Sequence, residues 1–593
     1  MNTWKVKRKR GNAEDFAYEL NSSVAFAKVL EDKEIFTVDN FYKYINPSLK
    51  DISNFKESKD LVNACKIVKN YVEKNEKILL FSDYDCDGVT STTIMFKGLK
   101  EIFPNINLEY LVGHRIYDGY GLSIDKIKEI SKLGCKLLIT LDNGITSVKE
   151  VDYANSLGME VIILDHHEVQ INLDDGKEIL PKAKAIIDSK QSACKYKFKE
   201  LCTAGLAYLF VHFLASQNAM KLKCSNELLQ FAAIGTIVDI VELTKDNRII
   251  AKRGINSLNK EIINKGLMTL YKKLDSGGVI TSNTIGFKIG PCINAIGRID
   301  DATKGIKLFL SDDESEIILL AEEVFNANVE RKKMTNESIE SVEKIIEENG
   351  FYKDNIIVVY DENIHESLAG NVASRVKDKY NKPTFVITKG HGCAKGSARG
   401  IEAYDLVEAM TRCKEHLLKF GGHKLAGGFS LEESKIFDFR KSLNDNANLC
   451  VKDFEKVLSV NKILKLDEAT YELQQEVESL EPFGKGNDKP IFASLNMKIV
   501  YIKLDDEKKY YKLELQDDSI NYSVTAISFG QNQEFKNLIL SKYSEYESNK
   551  IFSGILRNVE IYLDMVYNIN VNDYNGNKSV QLRPLDIRLS NMN

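Results

Sequence analysis

The sequence predicts an α/β protein of several domains: a doubly wound parallel sheet, a long helical connector, a second α/β domain and a C-terminal β-barrel. Three observations predict it. From Lys77 onward short apolar runs alternate with helical segments, the pattern of parallel strands joined by crossover helices. A charged stretch from about 312 to 349 carries apolar residues at helical spacing, and a second strand–helix pattern follows it. From about 455 the chain becomes strand-rich and aromatic. A length of 593 residues agrees, because one core rarely serves more than about 250–300 residues.

In order, residues 1–75 read as an irregular and helical N-terminal segment. The first strand, 78–81, ends in a cluster of acids, and a helix over 90–103 follows it. Further strands lie at 108–112, 137–141 and 161–164, with helices between them near 124–133 and 147–157. Residues 228–238 read as a buried helix, and 242–300 mixes helices and loops. Ile317, Leu320, Val324, Ile339, Val342 and Ile346 mark the connector, which reaches roughly 55 Å if helical throughout. Strands at 356–360 and 383–388 open the second α/β domain. The resulting domains are 1–75, 76–310, 311–350, 351–452 and 453–593.

Composition narrows the class. With 43% hydrophobic and 28% charged residues the chain is globular, not disordered. A net charge of −5 neither demands nor excludes a nucleic-acid partner, since a basic channel can sit on an acidic protein. Residues 377–424 hold ten Lys or Arg against five Asp or Glu, a local positive surplus. No pair among the ten cysteines is spaced C-x-x-C, which argues against a zinc ribbon or a thioredoxin-type site. Scattered thiols suit a reducing compartment. No apolar run follows the basic residues 1–10, and the apolar stretch 204–215 is too short to span a bilayer. The expectation is a cytoplasmic protein without a membrane partner.

The chemistry lies where the strands end. The first is followed by Asp83-Tyr84-Asp85-Cys86-Asp87-Gly88, the second by His114-Arg115, the third by Asp142-Asn143-Gly144, and the fourth by Asp165-His166-His167. An Asp after a strand is usually a helix cap. Four strand ends of this kind in one sheet point instead to the crevice in which such sheets bind ligands. Carboxylates mixed with imidazoles and no thiolate set suit Mn²⁺ or Mg²⁺. So many carboxylates repel one another unless cations neutralise them, and their number suits two adjacent divalent cations. A metal pair activates water and stabilises the leaving oxygen of a phosphodiester.

These elements, with Gly235-Thr236-Ile237-Val238-Asp239 downstream, resemble the four metal-site motifs of the DHH phosphoesterase superfamily. The resemblance implies Asp85, Asp87, Asp142, His166 and Asp239 as ligands of two divalent cations, with Asp142 bridging. His166, His167 and Asp142 are then the catalytic candidates, His167 either supporting the ligands or contacting the scissile phosphate. Asp83 is read as structural, Asp165 as orienting the histidines, and Cys86 as filling space.

Further elements resemble the RecJ branch of that superfamily: the loop 113–121, the run 291–298 with Asn294 and Arg298, Gly396-Ser397-Ala398-Arg399, the glycine-rich 421–428 around His423, and 480–487. That resemblance covers roughly 75–590. It implies a DHH domain, a DHH-associated domain and an oligonucleotide-binding (OB) barrel. The implied activity is that of a 5′→3′ exonuclease specific for single-stranded DNA, in repair and recombination, working with a single-stranded-DNA-binding protein and a helicase. His114, Arg115, Asn294, Arg298, Ser397, Arg399 and His423 are the implied substrate contacts; forked guanidiniums suit phosphate oxygens. Tyr501, Tyr510, Tyr511, Tyr522 and Phe529, near Lys508 and Lys509, are candidates for base stacking. Ser367, Gly400 and Asp488 depart from the family pattern without touching an implied ligand. Two other readings are weighed: an enzyme of short oligoribonucleotides or cyclic dinucleotides, which needs no OB barrel, and an inactive DNA-binding scaffold, which would have lost metal-site acids.

Overall fold

The computed structural model describes residues 2–590 except 9–10, 116–120, 173, 276, 391, 557–558 and 575, and at 574 and 577 the backbone alone. It divides into two compact units. One comprises 48–454 and 484–486; the other comprises 1–47, 455–483 and 487–593. Among the described residues no helix is long and apolar enough to cross a membrane.

The first unit opens with a five-stranded parallel sheet of β1 (Ile78–Ser82), β2 (Leu108–Val112), β3 (Leu137–Leu141), β4 (Glu160–Leu164) and β5 (Ala185–Ile187), in the order β2-β1-β3-β4-β5. Strand side chains alternate between faces. Ile78, Leu80, Ile139 and Ile162 therefore join one core, while Leu79, Phe81, Leu138 and Ile163 join another on the opposite face. Burial on both faces explains why these strands read as unbroken apolar runs. Helices α1 (Cys86–Ile102), α4 (Thr203–Gln217) and α5 (Ser225–Val238) contribute to the first core. Helices α2 (Ile124–Lys132) and α3 (Val148–Ser156) contribute to the second. The chain leaves β1 for β2 on one side and returns to β3 on the other. The crevice of this sheet therefore opens between the carboxyl ends of β1 and β3.

Downstream, α6 (Gly290–Ile299) precedes the 35-residue α7 (Glu314–Glu348). Asp313 caps α7 by accepting from the amides of Ser315 and Glu316. Ile317, Leu320 and Val324 of α7 belong to the core of the parallel sheet, and Val342 and Ile346 to the core beyond it. One continuous helix thus seeds two cores about 27 Å apart along its axis, at about 1.5 Å per residue. Beyond α7 lies a mixed sheet of β6 (Ile357–Tyr360), β7 (Thr384–Lys389), β8 (Ala394–Arg399), β9 (Lys419–His423) and β10 (Ala426–Leu431), in the order β9-β10-β8-β7-β6. Helix α8 (Ala369–Tyr380) packs on it.

In the second unit β11 (Lys462–Ile463) flanks β12 (Phe492–Asp505), β13 (Tyr510–Gln516), β14 (Val524–Phe529), β15 (Tyr562–Tyr574) and β16 (Asn577–Leu589). The pairings β12-β13-β14-β16-β15 return from β15 to β12, which closes a five-stranded barrel of OB type. The N-terminal residues do not stay together as one segment. Phe16, Phe26, Leu30 and Phe41 share the barrel's core with Met497, Leu513 and Tyr567, and strand Thr3–Val6 pairs with Val457–Val460. Helix Leu61–Glu73 instead packs in the core of the parallel sheet.

Candidate metal centre and phosphate-binding cleft

Asp85 is the N-cap of α1, where its Oδ1 accepts from the amides of Asp87 (2.9 Å) and Gly88 (3.1 Å). Gly88 is needed for close approach: a Cβ there would stand 2.1 Å from the Asp83 carbonyl oxygen. Asp87 is held by the start of α4, its two oxygens accepting from Thr203 N (2.7 Å) and Ala204 N (2.8 Å). Asp142, at the switch point after β3, adopts φ +63 and accepts from Thr203 Oγ1 at 3.3 Å. Asp239 caps the C-terminus of α5. Five carboxylates and two imidazoles converge. Asp87, His166 and Asp239 form one set of mutually close donor atoms, Asp142, His166 and His167 a second, and Asp83, Asp85 and Asp142 a third.

Asp165 supports this cluster from behind. It is buried, and its Oδ1 accepts from the amides of His166 (2.8 Å) and His167 (3.2 Å) and pairs with His167 Nδ1 at 2.7 Å. Its Oδ2 accepts from Ile145 N. Burial works against the charge on Asp165, but His167 and these hydrogen bonds hold its carboxyl down to about 2. Burial likewise opposes charge on His167, yet Asp165, followed by Asp239 and Asp85, pushes it up to about 9. Burial and then the charge of His167 push His166 down to about 3, leaving a neutral imidazole with a free lone pair.

The acids carry the opposite strain. Burial, then the neighbouring carboxylates, hold Asp142 and Asp239 well above the ordinary range and push Asp87 up to about 6; Asp83 is raised by burial and Asp85. Such a cluster is stable as anions only with cations among them. His166 Nε2 and Asp239 Oδ2 are buried and lack a hydrogen-bond partner among the described residues. They lie 3.5 Å apart, and His166 Nε2 is 3.3 Å from Asp142 Oδ1. Burial and the adjacent acids keep Cys86 and Cys202 protonated, so neither supplies a thiolate. The donor set of carboxylate oxygens and neutral imidazole fits Mn²⁺ or Mg²⁺.

Beside the cluster lies a cleft of about 330 Å³, lined by Tyr84 and Arg115 on one side and by Ser367, Gly370, Ser397 and Gly428 on the other. Arg115 donates to Tyr84 Oη at 3.1 Å, with its guanidinium 5.1 Å from the centre of the Tyr84 ring. Arg298 is partly buried and donates to the Ser367 carbonyl oxygen at 3.0 Å. Arg399 donates to Ala398 O at 2.8 Å and Ser397 Oγ at 3.3 Å. Burial and then the charge of Arg115 lower both Arg298, to about 10, and Arg399. Three guanidiniums therefore share one field, and among the described residues none forms an ion pair. Gly370 leaves the room Arg399 and Ser397 need, because a Cβ there would meet Arg399 Nη2 at 2.9 Å and Ser397 Oγ at 3.0 Å.

Not every expected residue lies at the site in the expected way. Asn294 turns its Oδ1 to the Cys86 amide at 2.8 Å and anchors the start of α1. His423 lies exposed on the edge strand β9, level with Ala426, whose other neighbour in register is Arg399. Asp83 stands among the donor atoms with Asp85 and Asp142. Of the loop 113–121, Asp118, Gly119 and Tyr120 lie outside the described residues. Sequence reasoning passed over Tyr84, Gly370 and Asp188. Asp188 follows the short β5, fully buried, its Oδ2 without a hydrogen-bond partner among the described residues and its carboxyl pushed up to about 8 by burial and Asp165. An acid after the apolar run 185–187 was the available signal. In the barrel, Tyr511 is core, stacked on Phe535, whereas Tyr501, Tyr522 and Phe529 are exposed.

Comparison with known proteins agrees with this arrangement. Models of the DHH family N-terminal domain, the DHHA1 domain and the RecJ OB domain match residues 77–236, 353–448 and 460–586. The single-stranded-DNA-specific exonuclease RecJ of Bacillus subtilis (strain 168) is 31% identical over 596 residues, covering 99% of this chain and 71% of the relative. The chain belongs to the RecJ family. RecJ of Escherichia coli (strain K12) is 28% identical over 559 residues, 90% of this chain and 91% of that protein. A crystal structure of RecJ with Mn²⁺ from Thermus thermophilus shares the fold, with a TM-score of 0.80 over 99% of this chain and 79% of that one at 22% identity. A manganese-bound exonuclease RecJ matches with a TM-score of 0.57 and 27% identity, over 67% of this chain and 96% of that one. As a RecJ-family member with a DHH domain, the protein is a metal-dependent exonuclease, which removes the inactive-scaffold reading.

Proposed function

We propose that the protein degrades single-stranded DNA from its 5′ end, one phosphodiester after another. The observation that carries this reading is the cluster of Arg115, Arg298 and Arg399, with no ion pair among the described residues, beside a carboxylate–imidazole metal centre. Asp85, Asp87, Asp142, His166 and Asp239 would hold two divalent cations, with Asp83 as a further donor. When bound, such cations activate water and stabilise the leaving oxygen. Asp165 fixes the histidine pair, and His167 faces the scissile phosphate. The three arginines and Ser397 take the terminal 5′ phosphate, which sets how far the strand advances before each cut. The exposed barrel aromatics hold the incoming strand by stacking, which tolerates any base sequence. His114 and His423 are further strand contacts.

The polypeptide acts in the cytoplasm, in repair and recombination, on strands exposed by a helicase and coated by a single-stranded-DNA-binding protein. The test is Mn²⁺-dependent release of nucleotides from single strands and from blunt duplex of the same sequence. Rapid release from single strands, abolished by chelation and weak on the duplex, is expected. Equal digestion of blunt duplex without a helicase would overturn the reading.

A further inference from the structure

Directly after Asp239 the backbone is strained. Ile240, a β-branched residue, adopts φ +60 and is 69% exposed. The left-handed region disfavours β-branched side chains, and such strain clusters at functional sites. Exposing the side chain as well forgoes the burial that would offset it.

A second irregularity lies against the same end of α5. Residues Ile285–Ile289 form a π-helical turn, a rare form that is frequent at functional sites. The turn packs along the last turn of α5. A Cβ at Gly286 would meet Ile237 at 3.9 Å, and one at Gly290 would meet Val238 at 2.3 Å. Ile285 and Ile289 are buried, while Phe287 between them is 73% exposed, followed by the exposed Lys288. A one-residue expansion of the helix thus keeps two isoleucines in the core and presents an aromatic ring and an ammonium to solvent. Both devices flank Asp239, whose Oδ2 lies 3.5 Å from His166 Nε2 in the metal centre.

We propose that Ile240 and Phe287 form an apolar ledge that receives an unpaired base of the substrate strand beside the metal centre, with Lys288 contacting its phosphate. The inference rests on the single-stranded-DNA reading above. Its occupant follows from position and charge: Ile240 directly follows Asp239 of the metal cluster, the π-helical turn that carries Phe287 packs on the same end of α5, and a ring next to a cation suits a nucleotide, which offers a π-face and an anion together. Stacking on an aromatic ring is indifferent to base identity but requires a base that is not already paired, so the ledge adds selectivity for single strands without sequence preference.

The test compares wild type with Phe287→Ala and Phe287→Trp on 5′-phosphorylated single strands. Each strand carries one abasic residue, moved stepwise from the 5′ end. Because Phe287 is exposed, neither change disturbs the core. Phe287→Ala should raise KM by roughly fivefold or more, the range of one base–aromatic stack, with a much smaller change in kcat. Phe287→Trp should restore it. Wild type should slow when the abasic residue reaches one register, and Phe287→Ala should lose that register dependence. An unchanged KM with the same abasic profile would overturn the ledge while leaving the exonuclease reading standing. Failure of wild type on single strands would overturn that reading itself. An effect confined to strands coated with a single-stranded-DNA-binding protein would assign the ledge to a protein partner and overturn the proposal.

Discussion

His166 holds its Nε2 3.3 Å from Asp142 Oδ1, in a buried position where that nitrogen has no hydrogen-bond partner among the described residues. A buried acceptor without a donor costs about 1–3 kcal/mol, and repulsion from Asp87, Asp85 and Asp239 adds to the penalty at Asp142. Both costs vanish when a cation lies between them. The metal-free protein is therefore destabilised at its own active site.

Asp142→Asn tests this. Without metal the variant should be at least as stable as wild type in thermal unfolding, because it removes a buried charge from a cluster of like charges. With Mn²⁺ at about 100 times its Kd, wild type should gain about 2.7 kcal/mol, and the variant should lose most of that gain together with its turnover.

Asp165→Asn keeps the shape but removes the charge that fixes His167 and accepts from both histidine amides. Loss of such a supporting carboxylate costs roughly 10–100-fold in metal affinity or activity. Calorimetric Mn²⁺ titration and single-turnover rates should both show it.

Arg399→Ala and Gly370→Ala address the same pocket from two sides. Charge-assisted phosphate contacts are worth roughly 1.5–3 kcal/mol, so Arg399→Ala should slow 5′-phosphorylated strands roughly 10–150-fold and 5′-hydroxyl strands much less. The methyl added by Gly370→Ala, 2.9 Å from Arg399 Nη2, should reproduce the preference in weaker form. Competition between the two labelled ends reads it directly.

In the barrel, two aromatics of similar sequence character should separate. Phe529 is 57% exposed with the Arg583 guanidinium 4.9 Å from its ring centre, and Phe529→Ala should weaken single-strand binding by about 1–3 kcal/mol without loss of stability. Tyr511 is 1% exposed, and Tyr511→Ala should instead destabilise the fold by about 3–5 kcal/mol. Chemical denaturation and fluorescence anisotropy distinguish the outcomes.

These contrasts mark what the sequence could and could not reveal. The parallel sheet was legible because burial on both faces makes its strands continuous apolar runs, and its acids were legible because they stand where those runs stop. Strand β5 was not, since three residues carry no period, and Asp188 went with it. Residues 1–47 share the barrel's core through contacts more than 400 positions away in the chain, as between Ser23 and Glu476, and no local pattern announces such a partnership. Tyr511 and Phe529 lie on the neighbouring strands β13 and β14, each alternating between core and solvent, so burial had to decide between core and platform. Asn294 has the polarity of a substrate contact, but its oxygen is taken by the Cys86 amide, a pairing visible only once α6 and α1 are packed together.

The most direct test of the account is polarity. Single strands labelled at the 5′ end and at the 3′ end are digested in parallel with Mn²⁺ under conditions in which each molecule is attacked once. The account predicts immediate release of the 5′ label as a mononucleotide, with the 3′ label staying on progressively shorter fragments. Early release of the 3′ label, with the 5′ label retained on long fragments, would contradict it.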